Sequence, residues 1–151
     1  MTAVDNTTDG PTGLPVIAKK DSLTIIGNGD TIERNSSNLF RLFDVSSGAS
    51  LTLQSLTLQY GAAFGSGSSA HGGAIYNDGT LVLSAVIVQG CGAEGSGGSA
   101  EGGAIYNQGT LVLSAVTVQD NVALGSNAAP RAPTVRRAAR VLEAASGPTA
   151  A

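Results

Sequence analysis

The fold of this chain is decided by a stretch of sequence that occurs twice in succession. Residues 69–89 read SAHGGAIYNDGTLVLSAVIVQ, and residues 99–119 read SAEGGAIYNQGTLVLSAVTVQ. The copies begin at Ser69 and Ser99, and 18 of their 21 paired positions are identical. A repeat at a fixed period of this length predicts one structural unit stacked on itself, which is a solenoid.

The same period extends to a third copy nearer the N-terminus. The segment SLTL at 50–53 precedes TLVL at 80–83 by the same interval, and Gln59, Gln89 and Gln119 recur at that spacing. We therefore expect three turns of unchanged length between about residues 41 and 129. A weaker turn comes before them, where SLTI at 22–25 matches SLTL at 50–53.

The apolar pattern within each copy indicates strands. Leu81, Leu83, Val86 and Val88 alternate with other residues at period 2, with one slip at Ser84-Ala85. Period 2 places one face of a strand inward, and the slip favours a corner between two short strands. No helical stripe is present in the repeat, and glycine is frequent. The predicted fold is an all-β, right-handed parallel β-helix of about 3–4 turns of roughly 30 residues.

Stacked turns place equivalent residues in columns about 4.8 Å apart. Asn77 and Asn107 are predicted to form an asparagine ladder, with Ser47 below them. Tyr76 and Tyr106 are predicted to stack on the other side of the same strand.

Two short motifs carry a resemblance to a known family. Gly-Gly-Ala-Ile occurs at 72–75 and 102–105, and Val-Gln-Asp-Asn at 118–121 is similar to a Phe-x-x-Asn motif with valine in place of phenylalanine. Over about residues 22–127 the chain resembles the repeats of the polymorphic outer membrane protein family and its adhesin-like relatives. The resemblance implies a pectin-lyase-like right-handed β-helix from a bacterial surface or secreted protein. It departs from the motif at Cys91, which stands where asparagine is expected.

Composition and charge exclude several classes of function. The 151 residues suit one domain, with 4% aromatic residues, 13% charged residues and 21 glycines. A net charge of −3 gives no electrostatic case for binding nucleic acid or anionic membranes.

No signal peptide and no long apolar run are recognisable. Either the protein stays inside the cell, or the chain is part of a longer exported protein; we favour the second interpretation.

The chain divides into three segments. Residues 1–21 form an N-terminal extension, 22–129 the β-helix repeats, and 130–151 a Pro/Ala/Arg-rich tail. Pro130 and Pro133 cannot donate to a strand ladder. The stretch TVRRAARVLEAASG at 134–147 has the pattern of a short amphipathic helix, which would either cap the solenoid or belong to a disordered tail. Its weak apolar face favours the tail.

Few residues are candidates for chemistry. Arg41, His71 and Glu101 share a phase of the repeat, and they form either a catalytic or binding triad or a solvated charge pairing on the outside of the first strand. We favour the pairing, because no nucleophile shares their phase. Cys91, the only cysteine, is either a reactive thiol or a ladder substitution, and we favour the substitution.

The acidic residues of the three turns fall in five different columns and therefore do not predict a calcium cluster. These residues are Asp44, Asp78, Glu94, Glu101 and Asp120.

We assign no catalytic, cofactor-binding or metal-binding residue, and no cofactor. The predicted function is a non-catalytic structural or interaction module that binds an unknown protein or carbohydrate surface ligand and can associate end to end. The alternative is a fragment of a polysaccharide lyase-like enzyme. The expected location of the full-length protein is extracellular or at the outer membrane.

Overall fold

The alternating apolar residues of the repeat form the interior of a parallel β-solenoid in the computed structural model, which describes residues 1–126. This part of the chain is all-β and contains no helix. The strands are β1 Ser22–Ile26, β2 Thr31–Glu33, β3 Phe43–Val45, β4 Ser50–Gln59, β5 Ala62–Ser66, β6 Ala70–His71, β7 Ile75–Asn77, β8 Thr80–Gln89, β9 Gly92–Ser96, β10 Ala100–Glu101, β11 Ile105–Asn107, β12 Thr110–Ser114, β13 Thr117–Gln119 and β14 Val122–Gly125.

Equivalent strands of successive turns pair in parallel. The largest sheet has the order β1-β4-β8-β12, with β2 paired to β4 and β13 paired to β8. The smaller sheets are β3-β7-β11, β5-β9-β14 and β6-β10. Leu81 pairs with Leu51 below it and with Leu111 above it, so the register predicted from the repeat is confirmed in this sheet.

The slip in the apolar pattern is a bend in the chain, as predicted, but β4 and β8 continue through it as single strands, and only the last copy is divided into two short strands, β12 and β13. Ala85 has a φ of 52°, and Ser55 and Ala115 have φ values of 51° and 52° in the turns below and above. One residue in the left-handed region turns the chain, so that Leu83 before it and Val86 after it both point into the core.

The register of the first turn differs from the prediction. The period of the repeat would pair Phe43 with Gly73, but Phe43 pairs with Ile75, two positions further along the chain. The cause is the connection from β3 to β4, which is longer by two residues than the connection from β7 to β8. The predicted position of Ser47 below Asn77 is therefore wrong, and Val45 lies there. A shift of two residues keeps every side chain on its own face, so the core is preserved.

Part of the N-terminal segment continues the solenoid below β3. Thr12 forms a parallel bridge to Arg41, and Ile17 forms one to Val45. The Ile17 N–H donates to the Asp44 carbonyl at 3.0 Å, and the Ser46 N–H donates to the Ile17 carbonyl at 3.0 Å. Residues 12–33 thus supply a lower, irregular turn.

The interior is split into two cores of different width. The larger core contains the leucine, isoleucine and valine columns together with Phe43 and Cys91. The smaller core is a narrow strip of alanines between the β5-β9-β14 and β6-β10 sheets: Ala63, Ala70, Ala93 and Ala100, with Ala123 packed against it.

The Gly-Gly pair of the Gly-Gly-Ala-Ile motif lies at the waist between these cores. Gly72 has a φ of 63°, which a residue with a side chain rarely adopts. A Cβ on Gly73 would lie 2.3 Å from the Gly103 carbonyl oxygen and 2.4 Å from the Gly92 carbonyl oxygen. The motif therefore permits close approach of three backbone segments.

The highest described turn is less buried than the turns below it. Leu83, Val86 and Val88 are fully buried, whereas the equivalent residues Leu113, Val116 and Val118 are partly exposed. The helix proposed for 134–147 and the tail boundary at 130 lie outside the described residues. Within residues 1–126, no helix has the length and hydropathy needed to cross a bilayer.

Candidate functional site

The main cluster of titratable residues surrounds Arg41, at the start of the first regular turn. Arg41 is only 4% exposed. Its Nη1 donates to the Asp9 carbonyl at 2.7 Å, and its Nη2 donates to the His71 carbonyl at 3.0 Å. The guanidinium also lies 5.0 Å from the centre of the Tyr76 ring. Burial lowers the pKa of Arg41, while Asp44 and Asp9 oppose that shift. The guanidinium thus joins the N-terminal segment to the second turn.

Asp44 lies beside Arg41 with a fully buried side chain. Neither of its carboxylate oxygens has a hydrogen-bond partner, and Arg41 Nε also lacks one. Burial and then the nearby charge of Asp9 raise the pKa of Asp44 to about 6, with Arg41 opposing the rise. The Asp9 N–H also opposes it, although its geometry falls short of a hydrogen bond. Such an unpaired buried carboxylate favours its neutral form.

An aromatic ladder forms the upper side of this cluster. The rings of Tyr76 and Tyr106 are stacked with their centres 5.3 Å apart, which confirms the predicted tyrosine stack. The His71 ring lies 4.4 Å from Tyr106. Asp44 occupies the position below Tyr76 in the same column. Burial and the nearby Asp78 raise the pKa of Tyr76.

The structure brings together only part of the predicted Arg41–His71–Glu101 column. Glu101 pairs with His71 in the expected register, and both side chains are half-buried. Arg41 is not on the outer surface beside them, because the longer β3–β4 connection shifts its register and the N-terminal segment covers it. The interpretation of Arg41 as a solvated member of a surface ladder is therefore wrong.

The predicted columns did not identify the neighbours of Asp44. Asp9 and Arg41 both act on its charge, although neither belongs to its repeat column. The sequence does carry one signal that the first turns deviate from the regular period. SLTI at 22–25 starts closer to SLTL at 50–53 than that segment starts to TLVL at 80–83, and these segments pair in the fold.

Register pairing leaves the two glutamates of the regular turns away from other acids. Glu101 pairs with His71, and Glu94 pairs with Phe64 and Leu124. Neither glutamate therefore has a second acid as its neighbour on the adjacent rung.

Cys91 lies in the larger core and is 2% exposed. Its Sγ contacts the Gln89 carbonyl at 3.3 Å, and its N–H donates to the Asn121 side chain at 2.8 Å. Burial raises the pKa of the Cys91 thiol to about 11. The position is thus one rung below Asn121, and the thiol is held in the protonated form, which is a poor nucleophile.

The broadest regular surface is the outside of the largest sheet. We call the outward residues of β4, β8 and β12 the flat face: Ser50, Thr52, Gln54, Thr80, Val82, Ser84, Thr110, Val112 and Ser114. None of these residues is charged, and Val112 is 49% exposed. Rungs about 4.8 Å apart make this face a regular array of hydroxyl and methyl groups.

No group of three or more His, Cys, Asp or Glu side chains in residues 1–126 is arranged to hold a metal ion. Comparisons with protein-family models, with curated proteins and with solved structures gave no match to this chain.

Proposed function

We propose that this chain is a non-catalytic interaction module from an adhesin-like bacterial surface or secreted protein, located outside the cell or at the outer membrane in its full-length context. The flat face carries this proposal. It is uncharged, regular and built on a sheet whose inward side is packed with buried leucine and valine. A rigid, repetitive surface of this kind suits contact with a protein or a carbohydrate surface.

The contacts of Arg41 support a structural role for this residue and give little support for a binding or catalytic role. The Arg41 guanidinium donates to two backbone carbonyls, and the backbone of residues 9–13 lies over it. Both contacts hold chain segments together, which is a structural role.

The interaction proposal is tested by placing charge in the flat face. Val82→Lys and Val112→Lys change outward residues of β8 and β12, while the matched control Glu94→Lys changes an exposed residue of β9. Binding is measured on arrays of glycans and of extracellular matrix proteins. We expect the two valine variants to lose at least about tenfold in affinity for any probe that the unmodified chain binds, because a charge in the contact surface cannot be desolvated without cost. Equal binding by all four proteins would contradict a role for the flat face.

The second candidate is a fragment of a polysaccharide lyase-like enzyme. The observation that favours it is the proximity of Asp9 and Asp44 to Arg41, since their charges act on the guanidinium, while Asp78 acts on Asp44. An assay on pectate and related uronic-acid polymers, with and without calcium, distinguishes the two functions. Formation of an unsaturated product that is lost in Asp78→Ala or Arg41→Ala would establish the enzyme and overturn our proposal.

End-to-end self-association is part of the interaction proposal. The apolar residues of the last described turn are partly exposed, and within residues 1–126 no strand pairs with the upper side of β12, β13 or β14. A sheet edge of this kind can pair with a strand of another chain. A second copy is the partner that we propose for this end, because it offers strands of the same kind.

A further inference from the structure

The N-terminal residues 5–13, which we call the strap, fold back on themselves and lie against the first turn. The Asp5 and Asn6 N–H groups donate to the Thr12 carbonyl, and the Thr12 N–H donates to the Asn6 carbonyl at 2.9 Å. Thr12 is fully buried, and its hydroxyl donates to the Gly10 carbonyl at 3.1 Å. The strap is therefore a small ordered unit of its own.

The strap is attached mainly to one residue. The Gly13 N–H donates to the Arg41 carbonyl at 2.9 Å, and the Arg41 N–H donates to the Pro11 carbonyl at 3.0 Å. The Arg41 side chain adds the bond to the Asp9 carbonyl. None of these three bonds belongs to the ladder between β4 and β8.

Closure of the strap leaves polar atoms without partners. Both oxygens of Asp44 and the Nε of Arg41 are buried without a hydrogen-bond partner, and Asp9 of the strap lies close enough to act on the Asp44 carboxylate. An unpaired buried polar group costs free energy that it recovers when water reaches it. The cost is larger for a charged carboxylate than for a neutral one. The charge state of Asp44 therefore couples to whether the strap is closed.

We propose that the strap is a pH-sensitive latch, closed over a neutral Asp44 and loosened when Asp44 ionises. Opening would admit water to Asp44 and Arg41 and uncover the flank beside Tyr76. Acidification would close it again without any change in the solenoid.

The other charges around Asp44 set the direction of the response. Those that face it are Asp9 from the strap, Arg41 from the segment before β3, and Asp78 from the turn after β7, with Tyr76 in the rung above. Asp9 and Asp78 disfavour the ionised form through their charges, whereas Arg41 and the Asp9 N–H favour it. The sign follows from the pKa of Asp44, which burial raises from its ordinary value of 3.8 to about 6 in the fold with the strap in place. Closure is strongest below the lower value and is lost as the pH rises through about 6.

Amide hydrogen exchange at pH 5.0 and 7.5, corrected for the intrinsic exchange rates, tests the latch. The reporter is the Gly13 amide, and the reference for global unfolding is the Leu83 amide in β8. We expect Gly13 to be much less protected than Leu83, which shows separate opening of the strap. We also expect the protection of Gly13 to fall about tenfold from pH 5.0 to pH 7.5.

Two variants make the test specific. Asp44→Asn keeps the shape of the side chain but cannot ionise, so the protection of Gly13 should become independent of pH. The matched control Asp30→Asn, at an exposed position away from the strap, should behave like the unmodified chain. NMR titration of the Asp44 carboxyl carbon in the unmodified chain independently measures the pKa of this side chain.

Three results would each overturn the latch. The first is equal protection of Gly13 and Leu83, which would mean that the strap opens only when the whole fold unfolds. The second is an unchanged pH response in Asp44→Asn. The third is titration of Asp44 at its ordinary value, near 4.

Discussion

The side-chain amide of Asn77 donates to the side-chain oxygen of Asn107 at 2.6 Å, one rung above it, and to the Thr110 carbonyl at 3.1 Å. The ladder stops at Asn77. Its own Oδ1 is buried without a partner, because the residue below is Val45 rather than a hydrogen-bond donor. The shifted register of the first turn thus leaves one acceptor unpaired in the core.

This unpaired acceptor predicts an unusual tolerance for threonine at position 45. Val45→Thr places a hydroxyl next to the free Oδ1 of Asn77, so the cost of burying that hydroxyl is offset by a new hydrogen bond. Val86→Thr is the matched control, since Val86 is equally buried in the apolar core. We expect Val45→Thr to destabilise the fold less than Val86→Thr by about 1 kcal/mol or more in denaturant unfolding. Equal losses would show that the hydroxyl does not reach Asn77.

The inward columns are predicted to carry the stability. Leu83 is fully buried, and Leu83→Ala should cost about 2–5 kcal/mol. Against a typical total of about 5–15 kcal/mol, this loss could unfold the domain. Thr117, on the outer side of β13, is exposed, and Thr117→Ala should change the unfolding free energy by less than about 0.5 kcal/mol. Thermal melts that shift by the same amount for both variants would contradict the observed burial.

The waist is predicted to require glycine at one position and to tolerate alanine at a neighbouring one. Gly73→Ala would place its Cβ within 2.4 Å of two carbonyl oxygens, so backbone must move, and we expect a loss of more than about 3 kcal/mol. A Cβ on Gly92 would meet only the Val122 carbonyl oxygen at 3.8 Å, and Gly92→Ala should stay within about 1 kcal/mol. Unfolding curves of the two variants measure the difference, and similar stabilities would argue against a closely packed waist.

Cys91 is predicted to be unreactive in the folded protein. A thiol with a pKa of about 11 is scarcely ionised at pH 8, and the side chain is 2% exposed. Alkylation at pH 8 should therefore be at least about 100-fold slower in the native protein than in denaturant. Fast modification without denaturant would show that the core opens at this rung.

Self-association is predicted to depend on the last described turn. Val118→Lys introduces charge at a partly exposed apolar position, whereas Thr117→Lys changes its outward neighbour in the same strand. Sedimentation of the unmodified chain should show association that grows with concentration, and Val118→Lys should reduce it while Thr117→Lys does not. A monomeric unmodified chain would refute end-to-end association.

Deletion of residues 130–151 tests the capping prediction in the same assay: increased association supports a cap, and no change argues against one.

The sequence by itself determined the repeated part of the fold. The regular period predicts that Leu51, Leu81 and Leu111 stack, and the alternating pattern predicts which side of each strand is buried. Both follow from local order, because a period repeated in sequence becomes a column in space when every turn has the same length. The tyrosine stack, the Asn77–Asn107 pair and the bend at Ala85 are predictable for the same reason.

Only the tertiary structure decided the first turn and the cluster around Arg41. Two additional residues between β3 and β4 change the register below Asn77. The pattern of the repeat does not predict which connection contains these additional residues. The strap then reaches Arg41 from a distant part of the sequence, through the Asp9 carbonyl. Contacts between a non-repeating segment and a repeat depend on where the chain folds back in three dimensions. For that reason the repeat period predicts that Asp44 is the single acid of its column, whereas in the fold Asp44 is a buried carboxylate beside Asp9 and Arg41.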